Sequence, residues 1–150
     1  MKQVILISIA VFVFGVAVGV ILQTTENKQT EYKFPGAAEV VKQYFESWGE
    51  KNWVEMYSTI SDGFKKIEPT AQTLSDFRNY QKTQGIDHIH ILSIKEKSSD
   101  GRVSVIDYSI ELVANGSKNV SGSFTLKFRS GDIIQGWKIT NPYGDKTDEL

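Results

Sequence analysis

Residues 102–128, RVSVIDYSIELVANGSKNVSGSFTLKF, decide the fold of this 150-residue chain. Apolar and polar side chains alternate in two runs within it, and a period of two is typical of strands with one buried face. Between the runs, Asn115 and Gly116 followed by Ser117 form a turn sequence typical of β-hairpins. The stretch therefore predicts two long antiparallel strands, with an apolar face formed by Ile106, Tyr108, Ile110, Leu112, Val120, Phe124, Leu126 and Phe128.

Two further strands are predicted, one on each side of this hairpin. A first strand covers His88 to Lys97, and a last strand carries Ile133, Trp137 and Ile139 on one face. Because short turns join consecutive strands, the sheet should be antiparallel, with one face against helices and the other in water.

The residues before the strands show the period of amphipathic helices, with apolar side chains three or four positions apart. Three helices are predicted: one over residues 37–48 that ends at Gly49, one that follows the cap Asn52 and ends at Ser61-Asp62-Gly63, and one from about Leu74 to Gln84 that follows the cap Thr73. Helices followed by a run of strands predict an α+β fold, with about three helices on an antiparallel sheet of about four strands.

The N-terminal segment predicts a membrane anchor. From Val4 to Leu22 the chain is uncharged and apolar, apart from one serine and two glycines. Such a segment forms a helix of roughly 28 Å, close to the ~30 Å thickness of the hydrocarbon core. A cleaved signal peptide stays open as the alternative, although its apolar region is usually about 7–15 residues long. Lys2 favours a cytoplasmic N-terminus and a domain on the other side of the cell membrane.

The chain is thus divided into four parts. Residues 1–22 form the predicted transmembrane signal-anchor, 23–35 a polar tether, 36–143 a single folded domain and 144–150 a polar tail. The tether lacks periodicity and ends in a proline, which is typical of a linker between a bilayer and a domain.

Composition excludes several classes of protein. Lysine and arginine together number 17 and aspartate and glutamate 18, so the net charge of -1 excludes a broadly cationic nucleic-acid binder. The chain has no cysteine, which excludes a disulfide scaffold, thiolate catalysis and a cysteine-ligated metal. No glycine-rich phosphate loop or nucleophile elbow occurs in the sequence, and we expect no cofactor.

The residues from Gly36 to Asn141 resemble the nuclear transport factor 2-like (cystatin-like cone) superfamily. An opening helix that ends in aromatic-x-x-Trp is followed by a polar turn and a helix with Met-Tyr, and the last strand carries Trp-Lys-hydrophobic. These positions are Phe45, Trp48, Met56, Tyr57, Trp137, Lys138 and Ile139. The chain is most similar to the small non-catalytic N-terminal domain of low-affinity penicillin-binding transpeptidases and to anchored relatives in Gram-positive bacteria.

The resemblance implies a curved sheet around a long helix, which leaves a conical pocket. Members of the superfamily include isomerases, dehydratases and non-catalytic extracellular modules, so the fold does not select a function. The side chains that we expect to line such a pocket and to contact a ligand are Tyr44, Trp48, Tyr57, Tyr108, Phe124 and Trp137.

Few residues are candidates for chemistry, and we assign no catalytic or metal-binding residue. Asp107 is expected on the solvent face of its strand, opposite Ile106 and Tyr108. His88 and His90 should share one strand face, but no third metal ligand is fixed by spacing. Each tyrosine of the apolar face is interpreted either as a core aromatic or as a hydroxyl offered to a ligand.

The sequence favours a membrane-anchored, extracytoplasmic, non-catalytic binding or scaffold module of the cell envelope. Its expected partners are the bilayer, through Val4 to Leu22, and an envelope protein or an apolar ligand. Two alternatives stay open: a small pocket enzyme of the isomerase or dehydratase type, and a structural module that forms a homodimer through its sheet face. A pocket with an enclosed ionisable group would favour the enzyme, and a broad apolar outer sheet face the dimer.

The anchor and its orientation give a first testable prediction. The full-length chain should fractionate with cell membranes, because the segment from Val4 to Leu22 is long enough to span the bilayer. Protease added to intact cells should remove the domain after residue 35. Recovery of the chain in the medium would contradict the anchor, and protection from the protease would reverse the orientation.

Overall fold

The central sheet has four antiparallel strands in the order in which they occur along the chain. The structure is a computed structural model and describes residues 32–144. The strands are β1 (His88–Ser99), β2 (Val103–Val113), β3 (Ser117–Arg129) and β4 (Gly136–Ile139). The predicted α+β class and the antiparallel meander are therefore confirmed.

The hairpin of β2 and β3 pairs as the alternation of its residues predicts. Val113 pairs with Ser117 across the turn, and Ile106 pairs with Phe124 seven residues further along each strand. Even-numbered residues of both strands form the inner face, where Ile106, Ile110, Phe124 and Leu126 are buried. Odd-numbered residues form an outer face that carries mainly serine, threonine and charged side chains.

In the described residues, four α-helices precede the sheet, one more than the three predicted for the domain. They are α1 (Ala37–Glu50), α2 (Trp53–Ser58), α3 (Asp62–Ile67) and α4 (Leu74–Thr83), with a 3₁₀ turn at Pro69–Ala71. The two predicted caps are confirmed: the side chain of Asn52 accepts a hydrogen bond from the amide of Glu55, and that of Thr73 accepts one from Asp76.

The additional helix, α3, begins at Ser61-Asp62-Gly63, the residues predicted to end the second helix. Ser61 lies in an extended conformation and its hydroxyl accepts a hydrogen bond from the amide of Phe64, so it caps the new helix. Asp62 adds a carboxylate to the first turn, where the helix dipole favours negative charge. A Ser-Asp-Gly sequence that is typical of a turn thus serves here as a helix start.

The end of α1 also differs from the prediction by a short distance. The helix continues through Gly49 to Glu50, and Lys51 takes the left-handed conformation with φ of 59°. The ammonium group of Lys51 donates to the carbonyl oxygens of Ile86 and Asp87, at 2.8 and 3.2 Å. These contacts connect the end of α1 to the start of β1.

The last strand is shorter than predicted, and the placement of Ile133 in it is wrong. Strand β4 begins at Gly136, while Ile133 lies in the β3–β4 loop with 93% of its surface exposed. Gly136 has φ of 126°, which a residue with a side chain rarely adopts, and this backbone turns the chain into the strand. On its other edge, β4 is bonded to residues 59–61: the amide of Ile139 donates to Thr59 and the carbonyl of Ile139 accepts from Ser61.

The hydrophobic core lies between the inner sheet face and the helices. Helix α1 contributes Val41, Tyr44 and Phe45, α2 contributes Met56, and α4 contributes Phe77, all nearly or fully buried. Trp48, which we expected on the same buried face of α1, is only partly buried.

Lys138 occupies an unusual place for a charged residue, since it is 95% buried. Its ammonium group donates to the carbonyl oxygen of Ser58 at 2.6 Å, and so binds the C-terminal end of α2. Burial lowers the pKa of Lys138, and the nearby charge of Lys65 lowers it further.

Residues 34–144 belong to one compact unit. In the described range, 32–144, no helix is both long and apolar enough to cross a membrane. The predicted anchor and most of the tether lie outside the described residues, as does the tail from residue 145.

The core assignment predicts the effect of truncating Phe45. Phe45→Ala should lower the free energy of unfolding by about 3–5 kcal/mol, because it removes a buried ring and leaves a cavity. Ile67→Ala is the matched control: this side chain is 79% exposed, so its loss should change stability by less than about 0.5 kcal/mol. Urea denaturation measures both, and equal effects would contradict the assignment.

Candidate functional site

A cavity of about 220 Å³ lies between α1, α4 and the inner face of the sheet. We call it the aromatic cavity, because seven of its lining residues are aromatic: Tyr44, Phe45, Trp48, Tyr80, Tyr108, Phe124 and Tyr143. Gln81, Gln84, Pro142 and the aliphatic residues Ile110, Leu112 and Val120 complete the lining. The long helix and the long hairpin position it, since each contributes a row of side chains on one face.

Phe124 is the central ring of the cavity wall. It stacks on Phe45 with 5.7 Å between ring centroids, meets Tyr44 edge-on at 5.5 Å, and contacts Tyr108 at 4.6 Å. Such offset and edge-to-face contacts each add stability beyond the apolar area that they bury. The wall formed by these rings is therefore well ordered by its own packing.

Tyr108 lies across Gly122, its partner on the neighbouring strand. A Cβ atom at Gly122 would lie 2.8 Å from the hydroxyl oxygen of Tyr108 and 3.0 Å from its Cζ atom. A side chain at this position would collide with the phenol, so glycine leaves the room that the ring occupies.

Two buried polar atoms of the cavity-lining residues have no hydrogen-bond partner in the described part of the chain. They are the indole Nε1 of Trp48, which is a donor, and the amide Oε1 of Gln81, which is an acceptor. Gln81 is only 3% exposed. Leaving such a group unpaired costs about 1–3 kcal/mol, so each of these two atoms calls for an explanation.

Three tyrosines that line the aromatic cavity, Tyr44, Tyr108 and Tyr143, have raised pKa values. Burial raises the pKa of Tyr44 and of Tyr108. Burial also raises the pKa of Tyr143 to about 12, and the hydroxyl of Thr70 beside it offsets part of that rise. No carboxylate or imidazole belongs to the described residues that line the cavity. At neutral pH the lining therefore carries no charge.

The structure brings together four of the six residues that the sequence analysis placed in a pocket. Tyr44, Trp48, Tyr108 and Phe124 line the aromatic cavity, whereas Tyr57 and Trp137 do not.

Tyr57 and Trp137 lie at other places in the fold. The hydroxyl of Tyr57 donates to the carbonyl oxygen of Ala71 at 2.7 Å, and its ring packs at 5.3 Å from Phe77. Trp137 packs edge-on against Phe128 on the neighbouring strand, with the ring centroids 5.8 Å apart. Both side chains follow the apolar period of their elements, but these elements meet the core away from the cavity.

The residues weighed for acid–base or metal chemistry lie outside the cavity. Asp107 is on the outer sheet face, where it accepts a hydrogen bond from the hydroxyl of Ser123. His88 and His90 are both exposed on β1. Within residues 32–144, no group of three or more histidine, aspartate or glutamate side chains is arranged to hold a metal ion.

The sequence analysis missed Gln81 and Tyr143 as lining residues. Gln81 follows Phe77 by four positions on the buried face of α4, so the helical period could have placed it. Tyr143 was assigned only to the end of the domain. Its ring packs on Phe64 at 5.1 Å and on Tyr80 at 4.8 Å, contacts that join distant parts of the chain and leave no local pattern.

Comparison with known proteins gives a likeness of fold alone. No family model matches the chain, and no curated protein sequence matches it. A solved structure that does match is a SEC-C motif containing protein from Psychrobacter arcticus, which is 9% identical with a TM-score of 0.53. The match covers 77% of this chain and 64% of that one, so the chain spans less than two thirds of the length of the matched protein.

The raised pKa of Tyr143 predicts how stability falls at alkaline pH. Its folded pKa of about 12 exceeds the ordinary value of 10.0, so its contribution is complete below pH 10.0 and is lost as the pH rises towards 12. Tyr143→Phe should therefore make the loss of stability over this interval less steep. Urea denaturation at a series of pH values measures it. Tyr32→Phe is the control, since Tyr32 is 73% exposed, and equal slopes for wild type and Tyr143→Phe would refute the assignment.

Proposed function

We propose that this chain is a membrane-anchored, extracytoplasmic binding module whose aromatic cavity takes a small, uncharged, largely apolar ligand. The single observation that carries the proposal is the pair of buried, unpartnered atoms Trp48 Nε1 and Gln81 Oε1 beside an aromatic-lined cavity. A ligand that offers an acceptor to the indole and a donor to the amide would satisfy both atoms while its apolar body contacts the rings.

The cost of the unpaired atoms supports a binding role over simple packing. If this region served only for core packing, the protein would be more stable with apolar side chains in place of Trp48 and Gln81. Ordered water is the competing occupant, because a polar cavity of sufficient size holds water that bonds to such groups. A ligand that replaced this water would keep the hydrogen bonds and add apolar contact.

The size and charge of the cavity limit the ligand. Pockets for drug-sized ligands span about 300–1,000 Å³, and the aromatic cavity, at about 220 Å³, is below that range. A single ring or a short branched chain with one polar group is the appropriate size. A charged ligand is disfavoured, because the phenols that line the cavity stay neutral and provide no counter-ion.

The location in the proposal rests on the sequence. The uncharged segment from Val4 to Leu22 supports an anchor, and Lys2 before it supports a domain outside the cytoplasm. We also propose that the domain belongs to the nuclear transport factor 2-like superfamily, as its sequence motifs suggest; an α+β fold with helices on an antiparallel meander is compatible with that relationship.

The two alternatives receive less support. An isomerase or dehydratase needs a proton-transfer group whose pKa is near neutral, whereas the phenols of the cavity have raised pKa values. A dimer through the sheet needs a broad apolar outer face, whereas residues such as Asp107, Ser109, Ser121 and Ser123 cover that face with polar groups.

Benzamide is a suitable probe of the proposed site, because it joins an apolar ring to one acceptor and two donors. In the full-length chain held in lipid nanodiscs, the indole N–H resonance of Trp48 should shift on titration with benzamide, with a dissociation constant in the millimolar range, about 1 mM, for so small a molecule. The resonances of Trp53 and Trp137 should not move, because neither residue lines the cavity.

Two variants and a second probe complete this experiment. Val120→Trp fills the cavity and should abolish the shift, while Gln81→Leu should weaken benzamide without weakening toluene, which has no polar group. The spectrum of the other amides shows whether each variant is folded. An unchanged Trp48 resonance at saturating benzamide in the folded wild type would contradict the proposal that the cavity binds small, uncharged, largely apolar ligands.

A further inference from the structure

An open groove of about 830 Å³ lies apart from the aromatic cavity, between α2, α3 and the β3–β4 loop. Its apolar side chains include several that are strongly exposed: Ile133 by 93%, Val54 by 66% and Ile134 by 55%. Lys65 and Lys66 also line it. The two adjacent isoleucines thus form an exposed apolar feature of the β3–β4 loop.

The loop that carries the isoleucines is held in place by a buried carboxylate. Asp132, 93% buried, accepts a hydrogen bond from the amide of Asp62 at 3.0 Å and another from Arg129 Nε at 3.1 Å. In return, the carboxylate of Asp62 accepts from the amide of Ile133 at 2.9 Å. These reciprocal bonds fix the backbone beside Ile133 while its side chain projects into solvent. The exposure is therefore a fixed feature of the fold, not a consequence of a loose loop.

Among the described residues, the charged groups around the groove are paired, apart from Lys66. Both acidic side chains are engaged: Asp132 by Arg129, and Asp62 by the amide of Ile133 and by Lys65 Nζ at 3.7 Å. Lys66 is exposed and has no carboxylate within ion-pair distance in the part of the chain that the structure describes.

We propose that this groove is a membrane-docking surface, with Ile133 and Ile134 entering the interface of an anionic bilayer and Lys66 lying against its lipid headgroups. Apolar side chains flanked by basic ones are the combination that binds this interface, through buried apolar area and electrostatic attraction together. The proposal rests on the proposed anchor, which brings the domain to the bilayer.

The anchor makes such a weak contact effective. The tether of residues 23–35 can extend to at most about 45 Å. The anchor would keep the groove close to the bilayer, so docking would be effectively intramolecular. A groove that binds lipid vesicles too weakly on its own would then still contact the bilayer for much of the time. A polypeptide partner is less well matched, since Ile133 projects outward from the groove and is 93% exposed.

A single fluorescent label tests the docking surface in the full-length chain. The protein has no cysteine, so Ile134→Cys gives one site for an NBD fluorophore, which brightens and shifts to the blue in a lipid environment. In nanodiscs of phosphatidylcholine with about one third phosphatidylglycerol we expect this response, and in phosphatidylcholine alone we expect little of it. Asn119→Cys, exposed on β3, is the matched control site and should give no response.

Charge variants test the role of Lys66. Lys66→Gln in the labelled chain should lower the ratio of docked to undocked protein about five-fold, the contribution of one basic residue at an anionic surface. Lys82→Gln removes an equally exposed lysine from α4 and should leave the ratio unchanged. An equal response in both lipid compositions would overturn the proposal, because the isoleucines would then enter lipid without help from anionic headgroups. A response that grows with the number of chains per disc would also overturn it, because the groove would then bind a second copy of the chain.

Elution of the protein with the discs separates this proposal from the proposed anchor. A chain that co-elutes with discs of both compositions and shows no response at position 134 retains its anchor and refutes the docking surface. A chain that does not co-elute refutes the anchor, and the docking proposal falls with it. The benzamide titration does not depend on the response at position 134.

Discussion

The packing of α1 against the inner face of the β2–β3 hairpin is the contact on which the rest of this domain depends. Tyr44 and Phe45 of the helix meet Phe124 of the sheet, and Tyr108 completes the group from the neighbouring strand. Aromatic rings contribute large apolar areas and preferred mutual orientations, so this group fixes both the distance and the rotation of the helix. These rings fill part of the space between the helix and the sheet and form part of the hydrophobic core there. The space that they leave unfilled is the aromatic cavity.

Much of the fold is readable from local patterns, because its strands and longer helices bury one face each. The alternation in residues 102–128 determines the faces of β2 and β3, and the caps Asn52 and Thr73 mark helix starts. The patterns fail where one short sequence suits two structures. Ser61-Asp62-Gly63 is compatible with both a turn and a capped helix, and the choice depends on Phe64, which tertiary packing buries.

The candidate site is less readable than the fold for the same physical reason. Periodicity tells which face of an element is buried but not which part of the core that face meets, so Tyr57 and Trp137 have the same pattern as Tyr44 and Tyr108 yet line no part of the cavity. The hydrogen bonds between Asp62 and the β3–β4 loop join residues seventy positions apart in the chain. No spacing rule relates such residues, and Ile133 therefore seemed to belong to a strand.

The two edges of the sheet differ in a way that bears on how the protein behaves at high local concentration. The outer edge of β4 is bonded to Thr59 and Ser61, and only β1 presents an edge without a neighbouring strand in the described sheet. That edge is irregular at two points, near Ile91 and near Glu96, and carries Lys95 and Lys97 beside them. Bulges and lysines hinder the addition of a strand from another molecule. Copies at high local concentration would accordingly resist joining into continuous sheets, the usual first step towards fibrils.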